Sequence, residues 1–499
     1  MVSSKGHTPR DREAKQKALE VFLSKKAGEE QFEWSTAQKQ EAQKSERFII
    51  TCAQNNTEIH RPFWEALKRY SDVNESELLV IPARYKNPTS QREPQDKEMR
   101  WPAECDDHYV ESEVWLHGRL KLMGHARVQA TAVNPLSGFA PLTQGSSAIF
   151  GHAQVSMQTV PTPADTLPAI MHTTGSVSRK NYSKTKAGIK AEFHHTLGAV
   201  IVEKRGKYFH MRHVCAMDNG SFFDLDRHYT TKGHKGGYRL EGLVTGDEHC
   251  IWMDEEVRRG TYGEGGLCEL LRPKVIVRHD VLDSYAISHH HRRNAVLQWA
   301  KQEFGLHRIQ DELEVTCDHI EATTPPGSKN IIVASNHHDH LTRWLAEIDI
   351  RREPWNAEIY HELSALVLKH VELGQEGVLE PDAFALWAGQ KLGSGTIFAG
   401  RDDPITIKDI LVSLHGDKGP NGARGSRRNL ADIGVRTIIG HTHSSGICRG
   451  CYQVGTSARS MAYALGSPSG WMVTHCGIAQ NGKRQLYNIM PDGSFHGRP

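Results

Sequence analysis

Gly440-His441-Thr442-His443 places two imidazoles one residue apart, directly after the apolar run 435–439. Residues two apart at the end of an extended strand share a face, so both rings can hold metal. Earlier in the chain, the apolar run 331–334 leads into Ser335-Asn336-His337, which adds an amide oxygen and a third imidazole. Three more apolar runs end the same way. Residues 243–245 run into Gly246-Asp247-Glu248-His249, 273–277 into Arg278-His279-Asp280, and 410–414 into His415-Gly416-Asp417. Asp247 and His249 can bind one cation, and the two oxygens of Asp280 can bridge a pair. The Asn336 carbonyl suits a hard dication, and His337, beside the metals, could instead serve a leaving group. Each motif alone has a bland reading: a chance surface Asp-His pair, or an Asp that caps a helix. Five strand-terminal clusters in series do not. Their oxygen and nitrogen donors, with no thiolate, suit Mn, Fe or Zn more than a structural Cys-zinc site. Cys448-Arg449-Gly450-Cys451 has no second cysteine pair close in sequence and is not read as a zinc knuckle.

Short buried strands alternating with helices must position these residues, which is an α/β pattern. After Asn336, a helix with Leu341, Trp344 and Leu345 on one side is expected. Near the start of the ordered chain, 48–50 and 78–81 read as strands, the second ended by Pro82. Between them Ile59, Phe63, Leu67 and Tyr70 share a helical face. The runs 197–202 and 208–215 flank Glu203-Lys204-Arg205-Gly206-Lys207 as a hairpin. Residues 86–112 form a polar excursion, and 113–230 carry short β-like runs. At 499 residues the chain is too long for one ordinary core. The expected division is a polar arm over 1–46, helical or disordered, with Leu19, Val21, Phe22 and Leu23 as a short apolar patch. An N-terminal α/β module over 47–237, which could bind substrate, follows, and then a catalytic domain over 238–499.

The series of strand-end motifs resembles the calcineurin-like binuclear metallophosphoesterase superfamily over about residues 240–499. That pattern is Asp-x-His, Gly-Asp-x-x-Asp, Gly-Asn-His-Asp/Glu, a lone His and Gly-His-x-His. The resemblance implies a four-layer α-β-β-α sandwich and two divalent cations, Mn2+ first, with Zn2+, Fe2+ or Mg2+ also compatible. It implies that Asp247, His249 and His443 hold the first metal, that Asn336, His415 and His441 hold the second, and that Asp280 bridges. His337 would be the catalytic histidine. Three departures stand out: His279 and Ser335 occupy glycine positions, and His338 displaces the acid to Asp339. Asp226-Arg227-His228 offers a competing first motif, with Gly246-Asp247 then second. The first alignment is preferred, because 275–283 otherwise has no role. Val281-Leu282-Asp283-Ser284-Tyr285, with His289, His290 and His291, also looks like phage-encoded, early-expressed nucleases that degrade host DNA.

The expected function is therefore phosphodiester hydrolysis of DNA by two-metal activation of a bridging hydroxide. The alternatives are a phosphomonoesterase or small-molecule phosphodiesterase with the same centre, and a DNA-binding or host-interaction protein with a vestigial one. A net charge of +2 does not by itself announce a nucleic-acid binder. Local clusters do so more: Arg179, Lys180, Lys184 and Lys186 in an acid-free stretch, and Arg424, Arg427 and Arg428 between two metal motifs. These and the three consecutive histidines are the candidate substrate contacts. Hydrophobic content of 38% with 24% charged residues reads as globular. No apolar run approaches the ~20 residues that span a bilayer, and the N-terminus lacks an apolar signal core. Nine scattered cysteines do not form a disulfide framework. The expected location is the cytoplasm, the host's if the chain is phage-encoded, with DNA as partner, no membrane, and homo-oligomerisation left open.

Overall fold

The computed structural model describes residues 33–85, 100–163, 166–374, 377–459, 461 and 466–497. It is a mixed α/β structure built on three main sheets. The first has six strands, in the order Thr396–Ala399, Lys329–Val333, Val275–Arg278, Gly242–Val244, Thr474–Ile478 and Arg484–Asn488. Its first four strands are parallel, joined by helical crossovers, and the last two are antiparallel. The second sheet has ten strands and draws on both halves of the chain. Arg436–Ile439, Cys451–Gln453 and Gly446–Cys448 continue into Ser156–Val160 and Ala169–Thr173, and end at Glu113–His117. Residues 113–173 are thus tied by a hydrogen-bonded ladder to the C-terminal half, and the sheets do not divide at residue 237. The third sheet has four strands, Glu77–Ala83, Arg47–Gln54, Gly198–Arg205 and Tyr208–Cys215.

The two-residue period of a strand explains how these sheets stack. Phe48, Ile50, Val244, Val277, Ile331 and Ile438 point into one shared apolar layer between the sheets. Their neighbours point the other way. Ile49 and Ala53 meet Phe63, Leu67 and Tyr70 of helix Arg61–Asn74. Ile332 meets Leu341 and Trp344 of helix Asn336–Glu347. Burying each such side chain contributes roughly 1.5–3 kcal/mol, and this fixes which face of each strand is inner. On the outer face of the ten-stranded sheet, Ile439 and Cys451 meet the four-residue helix Arg427–Leu430.

The β-α-β start, the hairpin and the helix after Asn336 form as expected. Two details differ. Pro82 does not end its strand, because that strand is an edge of the sheet and tolerates a residue without an N–H. The run 410–414 is a strand only over Ile410–Leu411 before it bends toward His415. Of the N-terminal arm, helix Thr36–Lys44 is seen with a Ser35–Gln38 capping box. Leu19, Val21, Phe22 and Leu23 lie outside the described residues, as do 86–99 of the polar excursion.

Candidate metal centre

The strand-terminal side chains come from two sheets that share the apolar layer. Asp247 and His249 follow Gly242–Val244, and Asp280 follows Val275–Arg278. Asn336 and His337 open the helix that follows Lys329–Val333. From the ten-stranded sheet, His415 follows Ile410–Leu411, and His441 and His443 follow Arg436–Ile439. The carboxyl ends of parallel strands are where α/β sheets place ligands. Four of these residues sit in the left-handed region: His249 at φ 40°, Asp280 at 44°, His441 at 77° and His443 at 58°. A non-glycine residue there costs on the order of 1 kcal/mol or more. Tertiary hydrogen bonds hold the turns, as His249 N donates to Asp280 O at 2.7 Å and Asp247 N to Gly455 O at 3.0 Å. Gly440 is required by packing: a Cβ there would lie 2.2 Å from Asp247 Oδ1 and 3.2 Å from His279 Cβ.

Two groups of donors meet at Asp280. In one, His443 Nε2 lies 3.2 Å from Asp247 Oδ2 and 3.1 Å from His249 Nε2, with Asp280 Oδ2 3.9 Å from His249 Nε2. In the other, His415 Nε2 lies 3.1 Å from both Asp280 Oδ2 and Asn336 Oδ1, and His441 Nδ1 is 3.1 Å from Asn336 Oδ1. Donors about 2.1 Å from a cation sit about 3 Å apart in an octahedral arrangement and about 3.4 Å apart in a tetrahedral one, so the shorter of these spacings are ligand-like. Both Asp247 oxygens and Asp280 Oδ1 are buried without a well-formed hydrogen bond. An ionised buried carboxylate is costly unless compensated. This donor set therefore fits divalent cations, and the buried Asp and His groups could hold metal ions.

The electrostatics point the same way. Burial opposes charge on Asp280, yet His415 and His337 hold its carboxyl well below the usual range. Burial would depress His249, but the Asp283 hydrogen bond and the nearby carboxylates push it up to about 9. Without cations the cluster must thus balance its carboxylates with protonated imidazoles. Burial lowers His441 and His443, which keeps them neutral and able to donate lone pairs.

His337 stands at the rim, its ring 4.8 Å from that of His249, and its Nδ1 donates to Asp283 O at 2.6 Å. The Asp283 carboxylate accepts from His249 Nδ1 at 2.7 Å, leaving Nε2 for the cluster. One residue therefore orients two histidines. Asp283 was not singled out as a site residue, though it is the second acid of Asp-x-x-Asp. His279 also belongs here: it lies with Asp247 and His415, its Nδ1 3.4 Å from His415 Nδ1, and burial pushes it down to about 4. Ser335 stands where glycine was expected because its hydroxyl caps the helix, accepting from His338 N. His338 is tied to Asp382 at 3.0 Å, while the displaced Asp339 binds Arg401 at 2.7 Å, whose other nitrogen binds Asp417 at 2.6 Å. His228 lies in a separate small sheet and stacks on Phe223, and Asp226 lies in the turn before that strand and accepts from Gly237 N.

Of the expected substrate contacts, His289 and His290 come to the rim, where His289 is 4.9 Å from His340, itself 5.1 Å from His337. His291 packs against Tyr285 instead. Arg424 and Arg428 are exposed. Arg427 is a correction: it turns inward, donating to Ser444 O and Gln453 Oε1 at 3.3 Å, and braces the turn after His443. Arg179, Lys180, Lys184 and Lys186 are exposed. Arg179 and Lys180 line a cleft of about 740 Å3 with Arg436 and Arg449. Arg436 begins the strand whose far end carries His441, so this basic cleft and the metal cluster occupy opposite ends of one strand.

No helix among the described residues is long and apolar enough to cross a membrane. No family model and no solved structure matches the chain. One curated relative does: Protein A1 of Escherichia phage T5 is 33% identical over 480 residues, covering 92% of this chain and 84% of that protein. With 33% identity over 92% of its length, this chain belongs to the family of phage T5 Protein A1.

Proposed function

We propose that this protein is a binuclear metal-dependent phosphodiesterase that hydrolyses DNA. Asp247, His249 and His443 would hold one divalent cation, Asn336, His415 and His441 the other, and Asp280 would serve both. The observation that carries this reading is the position of Asp280 Oδ2, 3.1 Å from His415 Nε2 in one donor group and 3.9 Å from His249 Nε2 in the other. When bound, such a pair, with Mn2+ compatible with the mixed oxygen and nitrogen donors, supplies Lewis acidity and lowers the pKa of water. The facing sheets, with helices outside the six-stranded one, are consistent with a metallophosphoesterase sandwich. The protein's own groups do the rest. Asp283 fixes the His249 tautomer so that Nε2 presents a lone pair. The Asp283 carbonyl fixes His337 Nδ1 as a donor, which leaves Nε2 to deliver a proton to the departing oxygen. DNA is favoured over a small ester by the exposed cations at Arg179, Lys180, Lys184 and Lys186, which can neutralise backbone phosphates, and by kinship with a phage protein.

The test is digestion of linear, circular and single-stranded DNA with Mn2+, beside turnover of nitrophenyl phosphate. DNA cleavage that depends on the metal is expected. Turnover of the small ester alone would make the protein a phosphomonoesterase, and salt-sensitive DNA binding without cleavage under any metal would make the centre vestigial. His337→Ala should keep its metal and lose roughly 10^2- to 10^4-fold in turnover. Loss of metal in that variant would instead make His337 a ligand.

A further inference from the structure

His289, His290 and His340 bring ring nitrogens within 4.8 Å of one another, outside the ligand set assigned above. Two elements create this meeting. His289 and His290 lie in the turns that follow Asp283, and His340 lies one helical turn after His337, on the same face of helix Asn336–Glu347. The ring centroids are 3.9 Å apart for His289–His290, 4.9 Å for His289–His340 and 6.1 Å for His290–His340. Nδ1 of His289 and Nδ1 of His340 are buried and have no hydrogen-bond partner. An imidazole nitrogen without a partner is a group still waiting for one. No carboxylate contacts the three rings closely enough to form an ion pair among the described residues, so protonated imidazolium pairing does not account for the cluster.

The geometry points to a third divalent-cation site, held by His289, His290 and His340 at the mouth of the binuclear centre. Three imidazoles with no oxygen donor are the ligand set of a borderline cation, zinc foremost, rather than of Mn2+ or Mg2+. Zinc–nitrogen bonds of about 2.0–2.1 Å require nitrogens about 3.4 Å apart, so side-chain rotation of about an ångström completes the triangle. Three protein ligands leave the fourth position open to substrate or water. One contact must yield. Arg343 Nη1 lies 3.4 Å from His289 Nε2, and a cation on Nδ1 moves the ring proton to Nε2. Arg343 is half-exposed and already 3.4 Å from Glu347, so it has another partner to turn to.

The position gives the site its use. His340 is 5.1 Å from His337, and His337 is 4.8 Å from His249, so one histidine separates the third site from the pair. A polynucleotide carries a further phosphate beside the scissile one, and a cation at the mouth with an open position would hold it. That use rests on the phosphodiesterase reading above; the cation site itself does not.

The experiment is metal content of the full chain, saturated with Mn2+ and then with Zn2+, separated from free metal and measured by elemental analysis. The wild type is compared with His290→Ala, which changes an exposed ring, and with Asp247→Asn, which strikes the pair alone. Wild type should hold one equivalent more than His290→Ala, and Asp247→Asn should keep that His290-dependent equivalent. Equal metal content in wild type and His290→Ala overturns the third site, whatever Asp247→Asn does. Equal content in wild type and Asp247→Asn counts against the binuclear reading and leaves the third site standing. His340→Gln provides the second reading: it too must lack the extra equivalent, and retention of it overturns the assignment.

Discussion

Buried charged clusters in this molecule are of two kinds, and their difference separates structure from function. In the N-terminal half, Arg212 donates to Glu203 at 2.8 and 2.9 Å and to Asp224 at 2.5 and 2.8 Å. Gln485 Nε2 and Gly497 N supply further donors to the same carboxylates. Every charge there is opposed and hydrogen-bonded within the protein, so the cluster is complete. The Arg278–Glu248 pair beside the candidate metal centre is complete in the same way, with Tyr262 and Thr323 filling the remaining positions. The cluster around Asp247 and Asp280 has the same burial but no arginine, and it leaves carboxylate oxygens orphaned. Burial of charge alone marks neither a site nor a scaffold. Unmet acceptors converging on one point mark a place for something the chain does not itself supply.

The sharpest way to break this contrast is to remove one charge from each cluster. Arg212→Leu leaves two buried carboxylates unopposed and should cost about 3–5 kcal/mol in urea unfolding, with metal content unchanged in the protein that remains folded. Loss of metal ahead of unfolding would erase the distinction. Asp280→Asn should do the opposite: stability of the metal-free protein held or raised, metal content reduced, and DNA hydrolysis down roughly 10^3-fold. An Asp280→Asn protein with wild-type turnover would remove the shared ligand from the proposal. Acid provides a third probe. Burial pushes His172 down to about 4, so it is neutral in the folded chain and protonates more readily when unfolded. Its contribution, about 3 kcal/mol, is complete above pH 6.5 and is lost as pH falls toward 4. The unfolding midpoint should drop across that window, and His172→Gln should flatten the drop; an identical slope in the variant would show that other groups carry it. The smallest expected effect is at Asp283→Asn, which keeps the shape but weakens the grip on His249. Metal affinity should fall about 10- to 100-fold, with His337 still oriented by the backbone carbonyl of residue 283.

Much of the candidate centre was legible because residue type and the apolar run before each motif are local, although His249, Asp280, His441 and His443 lie past their strands at positive φ and do not follow strand alternation. A strand end followed by Asp-x-His or His-x-His declares a metal-type pair from a few residues. The helix after Asn336 and the hairpin at 198–215 were likewise written in local pattern. Long-range partners were not. Arg427 read as a surface cation, yet its guanidinium reaches Gln453 and Ser444. Nothing local to His340 says that the turn at His289 folds over it. The strands in 113–173 read as part of a separate module, because a strand's pattern reports that one face is buried and not which sheet it joins.

The sequence by itself determined the donors: which side chains carry lone pairs, their order, and their placement at the ends of apolar runs. It determined these because a strand's alternation and a residue's chemistry are short-range properties. Only the tertiary structure decided that Asp280 is reached from both donor groups, that Asp283 steers two histidines, and that the two halves share a ten-stranded sheet. Those outcomes depend on how separate sheets pack across one apolar layer, and hydrophobic burial, being non-directional, fixes that only when the whole chain is in place.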